Sequence, residues 1–184
     1  MKAVKAENYF CFFALLEMVL QDMGYFDMDQ IGIADFFEVV FPSNYTVATR
    51  RCSYSEKTWE FGAHVGEKDI NLFFTENNIR CSCFYLPINT ISEVVFEDTI
   101  NEMLQSKDYL IVTYSYGLLY RKHDLRDIGH VGLLSKTLPS FKVEIYDPGP
   151  KNDGYRVVDG FDLYDAMRFK QGGIYLFKRE DDSL

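Results

Sequence analysis

The chain holds little of what disulfide, metal or membrane chemistry would need. It has four cysteines and three histidines in 184 residues, and a chain of this size with a full core folds without disulfides, so Cys11, Cys52, Cys81 and Cys83 read as reduced thiols. Cys81 and Cys83 lie two apart and share one face of any strand, a face that reads as core. Cys52 and His64 are isolated from further ligands, and Asp153, Asp159 and Asp162 miss the spacing of a calcium loop, so no metal and no cofactor is expected. Those aspartates read instead as turn and cap residues. No apolar run is long enough to span a bilayer: the stretch from Phe10 to Leu20 is short and carries Glu17. Without a signal-peptide cleavage pattern after it, a cytoplasmic protein is expected. Basic residues are outnumbered 19 to 28, for a net charge of −9, which excludes a nucleic-acid partner that must displace counterions. A cationic substrate would suit that field, although solubility alone accounts for it. There is no repeat, low-complexity segment or long linker.

What is present is apolar and aromatic content, 47% and 16% respectively, enough for one domain with its own core. The spacing predicts a buried helix from Tyr9 to Met23, with Asn8 as N-cap and Gly24 as stop. A second helix is expected from Asp29 to Val40, ended by Pro42. Residues 43–68, with Trp59, the Arg50–Arg51 pair, His64 and two glycines, read as a long functional loop. Helices follow over 69–77 and 92–105, strands over 79–86, 109–114, 130–136 and 141–146, and a closing helix and strand over 162–169 and 173–178. Helices gather early and strands late, predicting an α+β fold with an antiparallel sheet packed against the first helix.

Three residues stand out against this frame. Cys11 falls in the first turn of the first helix, where unpaired N–H groups and the positive dipole end favour a thiolate. A turn centred between Leu138 and Pro139 sets His130 opposite Asp147, Gly132 opposite Ile145 and Leu134 opposite Val143. That register also gathers Leu134, Val143 and Ile145 on one face and Ser135, Lys142 and Glu144 on the other, so pairing and burial agree. Cysteine, imidazole and carboxylate together are the parts of nucleophilic thiol catalysis. His123, in a charged stretch, reads as a solvated loop residue.

The ordered set Asn8-Tyr9-Phe10-Cys11, Leu110-Ile111-Val112-Thr113-Tyr114, Gly129-His130-Val131-Gly132, Tyr146-Asp147-Pro148 and Gly172-Gly173-Ile174-Tyr175-Leu176-Phe177 resembles the papain-like domain of bacteriocin-processing (double-glycine leader) peptidases. The resemblance implies a papain-like fold with Cys11 as nucleophile, His130 as general base and Asp147 as the residue that orients the imidazole. The chain also looks like the N-terminal domain of the butirosin-biosynthesis acyltransferase, which moves an acyl group from a carrier to an amine. The resemblance therefore implies as partner a peptide or an acyl substrate, free or carrier-bound, with no membrane span. Where those peptidases place a glutamine before the cysteine to donate to the oxyanion, this chain has Glu7 and Asn8 as candidates. An ionised Glu7 cannot donate, which leaves Asn8 or the Cys11 backbone N–H. Phe10 and Phe12 flank the cysteine, and Tyr9, Phe12 and His64 are candidate cleft residues, beside a competing reading as a binding module of the same fold.

Overall fold

Apolar, β-branched and aromatic runs from Cys81 onward build an antiparallel six-stranded sheet, covered by helices on both faces. The computed structural model describes residues 1–46, 49, 51–57, 60–106, 108–126, 128–149 and 153–180; Arg50 and Trp59 lie outside the described residues. The helices are α1 (Cys11–Asp22), α2 (Gln30–Ala34), α3 (Glu67–Glu76), α4 (Glu93–Gln105), α5 (Tyr116–Leu119) and α6 (Gly160–Phe169). The strands are β1 (Val39–Pro42), β2 (Cys52–Ser55), β3 (Gly62–Ala63), β4 (Cys81–Pro87), β5 (Tyr109–Ser115), β6 (Gly129–Leu138), β7 (Lys142–Asp147), β8 (Gly154–Asp159) and β9 (Gly173–Arg179). Spatial order in the large sheet is β4-β9-β5-β6-β7-β8, and every pairing is antiparallel.

Strand periodicity divides the core in two. Ile111, Val131, Leu133 and Phe177 face α1 and α3, whereas Leu110, Val112, Leu134, Val143 and Ile145 face α4 and α6. Helix α1 is buried along nearly its whole length, because its apolar residues run all the way round. It ends at Gly24, whose φ of +101° suits a residue without Cβ, while the Tyr25 N–H returns to the Leu20 carbonyl at 2.9 Å. Among the described residues no helix is long and apolar enough to cross a membrane.

Several expectations are corrected. Helix α1 starts at Cys11 with Phe10, not Asn8, in the N-cap position. A turn closed by the Phe10 N–H on the Glu7 carbonyl, 3.1 Å, delays the start, and the Phe10 ring is held in the core against Phe13 and Phe41. The helix expected over 29–40 is one short helix, capped by Asp29 Oδ1 accepting the Gly32 N–H at 2.7 Å, followed by strand β1. The β-branched and aromatic run Val39-Val40-Phe41 overrides helix there. The long loop carries β2 and β3, which flank β1 in a three-stranded sheet.

The β6–β7 register is also different. Leu134 faces Ile145 and Leu133 faces Tyr146, with a bulge between Leu134 and Lys136. The pairing beside the site is thus two residues out from the expected one. A slip of two preserves side-chain parity, so the sorting of buried Leu134, Val143 and Ile145 from exposed Ser135 and Lys142 survives.

Candidate active site

The start of β6, the end of β7 and the first turn of α1 meet at one cleft. Continuing the register from Leu133–Tyr146 puts Asp147 across from Gly132, so His130, two residues along the same face, is its diagonal neighbour. Gly132 has no side chain to block that diagonal: a Cβ there would stand 2.3 Å from Ile145 Cγ2 and 3.3 Å from the Tyr114 hydroxyl. His130 Nε2 donates to Asp147 Oδ1 at 2.8 Å, and the Gly149 N–H donates to the same oxygen at 3.0 Å. Asp147 is 1% exposed and the His130 side chain 9%. The Tyr114 and Tyr116 rings stand edge-on to the imidazole, with centroids 5.7 and 5.2 Å away.

The pair is electrostatically coupled. Burial opposes the imidazolium, but hydrogen bonding to Asp147 and to the Cys11 thiol, with the charge of both, prevails and pushes His130 up to about 10. Burial likewise opposes the ionised carboxyl, yet the His130 and Gly149 hydrogen bonds and the Arg156 charge hold Asp147 below its ordinary value. With Nε2 committed to Asp147, Nδ1 is the nitrogen left to exchange a proton with a thiol.

Cys11 is the first residue of α1, and no side chain caps that end. Its N–H therefore belongs to the first-turn donors that have no acceptor within the helix. The approach to the cysteine is tied to the aspartate's strand: the Ala6 N–H reaches the Pro148 carbonyl at 2.7 Å, and the Tyr146 hydroxyl the Val4 carbonyl at 3.1 Å. Gln30 holds the same segment from the other side, accepting from the Glu7 N–H at 2.9 Å and donating to the Lys5 carbonyl at 3.0 Å. The Gln30 N–H in turn donates to Glu17 Oε2 at 2.8 Å, which employs the buried carboxyl of α1. Tyr9, between this segment and Cys11, adopts a left-handed φ of +72° and is locked by rings of Phe41, Tyr45 and Phe61.

Cys11 and His130 open on a cleft of about 640 Å³. Asn8, Tyr9, Phe12 and His64 line it; Glu7 does not, and is exposed. His64 Nε2 donates to the Glu60 carbonyl at 2.8 Å. Phe12 packs edge-on to Tyr175, 5.2 Å between centroids, so it serves core and cleft at once. Cys81 and Cys83 are buried on β4, away from this lining; burial pushes Cys81 up to about 12 and Cys83 higher still. His123 is exposed. Among the described residues no group of three His, Cys, Asp or Glu side chains is placed to hold a metal ion.

Sequence reasoning names Tyr114 and Gly132 without giving them a role at the site, and does not reach Arg156 or Tyr120. Arg156 sits on β8, a strand the sequence reading does not assign because its two sides carry similar residues: Tyr155 and Val157 are exposed, Arg156 and Val158 half-buried. Gly132 was legible as a glycine inside a strand pattern, a signal of close approach.

No family model matches the chain, and no curated protein sequence matches it. A crystal structure of a candidate C39-like peptidase from Bacillus anthracis superposes with a TM-score of 0.61 at 14% identity, covering 98% of this chain and 96% of that one. Element order, antiparallel sheet and buried first helix together with this likeness show that the chain has the papain-like α+β fold of C39-like peptidases, with Cys11 opening its N-terminal helix.

Proposed function

We propose that this chain is a single-domain papain-like thiol enzyme, a cysteine peptidase or amidase working through an acyl-thioenzyme at Cys11. The observation that carries the reading is the 2.8 Å contact between His130 Nε2 and buried Asp147 Oδ1, behind a cleft that His130 and Cys11 both line. His130 Nδ1 takes the Cys11 thiol proton, and the sulfur attacks the carbonyl carbon, forming a C–S bond as the C=O π bond opens to a tetrahedral oxyanion. The first-turn N–H of Cys11 and the Asn8 side chain are its candidate donors. As the C–N bond breaks, imidazolium Nδ1–H gives its proton to the departing amine, leaving a thioester and a neutral imidazole. Nδ1 then takes a proton from water, the resulting hydroxide equivalent attacks the thioester, and as the C–S bond breaks Nδ1–H returns its proton to the sulfur, releasing the acid and restoring thiol and neutral imidazole. Asp147 keeps the imidazole turned with Nδ1 toward the sulfur throughout. The resemblance to double-glycine leader peptidases makes a peptide the first substrate class to try.

A second reading is favoured by the cleft lining. Tyr9, Phe12, Phe61, Tyr85 and Tyr175 give the cleft an aromatic lining, which suits transfer of a carrier-bound acyl group to an amine instead of water. Incubation with a small activated ester, read by intact mass, tests both. The expected result is one acyl adduct, absent in Cys11→Ala. Discharge that accelerates with added amine supports transfer, and discharge indifferent to amine supports hydrolysis. No adduct on the parent chain would leave a binding module and overturn both enzyme readings.

A further inference from the structure

Asp147 uses one carboxylate oxygen for both of its hydrogen bonds: Oδ1 accepts from His130 and from Gly149. The other oxygen, Oδ2, is buried without an aligned hydrogen-bond donor, and Arg156 Nε lies 3.3 Å from it. Arg156 faces Ile145 on β7, and Gly154 faces Asp147, so the arginine occupies the same face two residues along. Its guanidinium is held over the Tyr120 ring at 5.2 Å. The Tyr120 hydroxyl stands 3.3 Å from that of Tyr114, whose ring abuts His130. Asp147, His130, Arg156, Tyr120 and Tyr114 thus form a closed ring of contacts behind the imidazole.

We infer that Arg156 is a positioning residue of this site, holding the Asp147 carboxylate ionised and facing His130 throughout the catalytic cycle; the inference rests on the thiol-enzyme reading above. The reason lies in what His130 must do. Once the imidazolium has given its proton to the leaving group, the positive charge on Oδ1's side is gone while Asp147 remains buried. An uncompensated buried carboxylate takes up a proton or turns away. A guanidinium does not titrate in this range, so its charge remains when that of the imidazole is lost. The charged and titratable groups facing Asp147 are His130 from β6, Arg156 from β8, Tyr114 from β5, Tyr120 just after α5 and neighbouring Tyr146, with Cys11 beyond the imidazole. Arg156 is the cation among them that survives neutralisation of His130.

The test is the pH profile of Cys11 alkylation by iodoacetamide, followed by intact mass in the full chain. In the parent, Cys11 reacts faster than Cys52 and its rate falls on the acid side as Asp147 is protonated and the imidazole loses the carboxylate that orients it. In Arg156→Gln the acid limb moves up by about one pH unit, about tenfold slower at a fixed pH on that limb, because an opposite charge at this range lowers a carboxyl by one to three units. Arg156→Lys, which keeps the charge, restores most of the shift. An Arg156→Gln protein that is less stable but keeps the parent's acid midpoint would reduce the arginine to a structural role and overturn the inference. If Arg156→Gln does not fold, Tyr120→Leu, which removes the platform under the guanidinium, shifts the limb further than Tyr120→Phe, which removes only the hydroxyl that also reaches Asp147, and equal limbs in the two overturn it equally. Parent Cys11 reacting no faster than Cys52 would overturn the thiol-enzyme reading first, an outcome distinct from a fast Cys11 indifferent to Arg156.

Discussion

Replacing Gly132 by alanine tests how the site is built with the smallest possible change. The glycine's backbone is not in the left-handed region, so alanine meets no conformational penalty and the effect is steric. The added methyl would stand 2.3 Å from Ile145 Cγ2 and 3.3 Å from the Tyr114 hydroxyl, and Ile145 is fully buried. Either the Ile145 strand or the methyl must move, at a cost of about 1–3 kcal/mol for overpacking. With a urea slope typical of a small domain the unfolding midpoint falls by about 1 M. The strand that yields carries Asp147 two residues on, so the 2.8 Å bond to His130 is lost and Cys11 alkylation slows by about 10- to 100-fold. Ile145→Ala removes the colliding Cγ2 at a cost of about 2–5 kcal/mol. In that background Gly132→Ala costs far less than alone, a coupling of about 1–2 kcal/mol in a double-mutant cycle. Additive effects, or a Gly132→Ala protein with the parent's stability and Cys11 reactivity, would refute the reasoning.

Other expectations follow from the same contacts. Because the folded His130 value, about 10, lies above its ordinary 6.5, its contribution to stability is complete below about pH 6.5 and is lost as pH rises to about 10. Urea midpoints measured across that window fall more steeply in the parent than in Asp147→Asn, where the main group sustaining the imidazolium is gone. Glu17→Ala leaves the Gln30 N–H and the Gln21 amide without their acceptor and costs about 1–3 kcal/mol; Glu17→Gln, which keeps an acceptor oxygen, costs less. Tyr9→Gly relieves the left-handed backbone but empties the ring cluster, so it lowers the thermal midpoint, whereas Tyr9→Phe leaves it unchanged. Thiol mapping of the native protein labels neither Cys81 nor Cys83 until urea opens the core.

Much of this was legible before any coordinates. The closing strand, strands β4 to β7 and the buried first helix announced themselves through apolar β-branched runs, one period-two hairpin and an all-round apolar pattern, and Gly24 through the need for a left-handed stop. The pairing of His130 with Asp147 was reached through a register two residues out. It held because parity, not register, decides which face a side chain takes, and because a glycine leaves the diagonal open. What sequence could not reach depended on distant chain. The start of α1 was moved by burial of Phe10 against Phe41, the strand Val39–Pro42 is stabilised by partners that lie within an expected loop, and β8 hides Arg156 in a pattern with no apolar face. Asn8 is in the cleft without being the cap, and Glu7 is outside it.

The central claim is that Cys11 is an activated thiol served by His130. It is tested most directly by iodoacetamide labelling at neutral pH, comparing Cys11 with half-buried Cys52 in the parent and in His130→Ala. The account predicts that parent Cys11 is alkylated much faster than Cys52 and that His130→Ala removes the difference. Equal rates at the two cysteines in the parent, or a Cys11 rate untouched by His130→Ala, would contradict it.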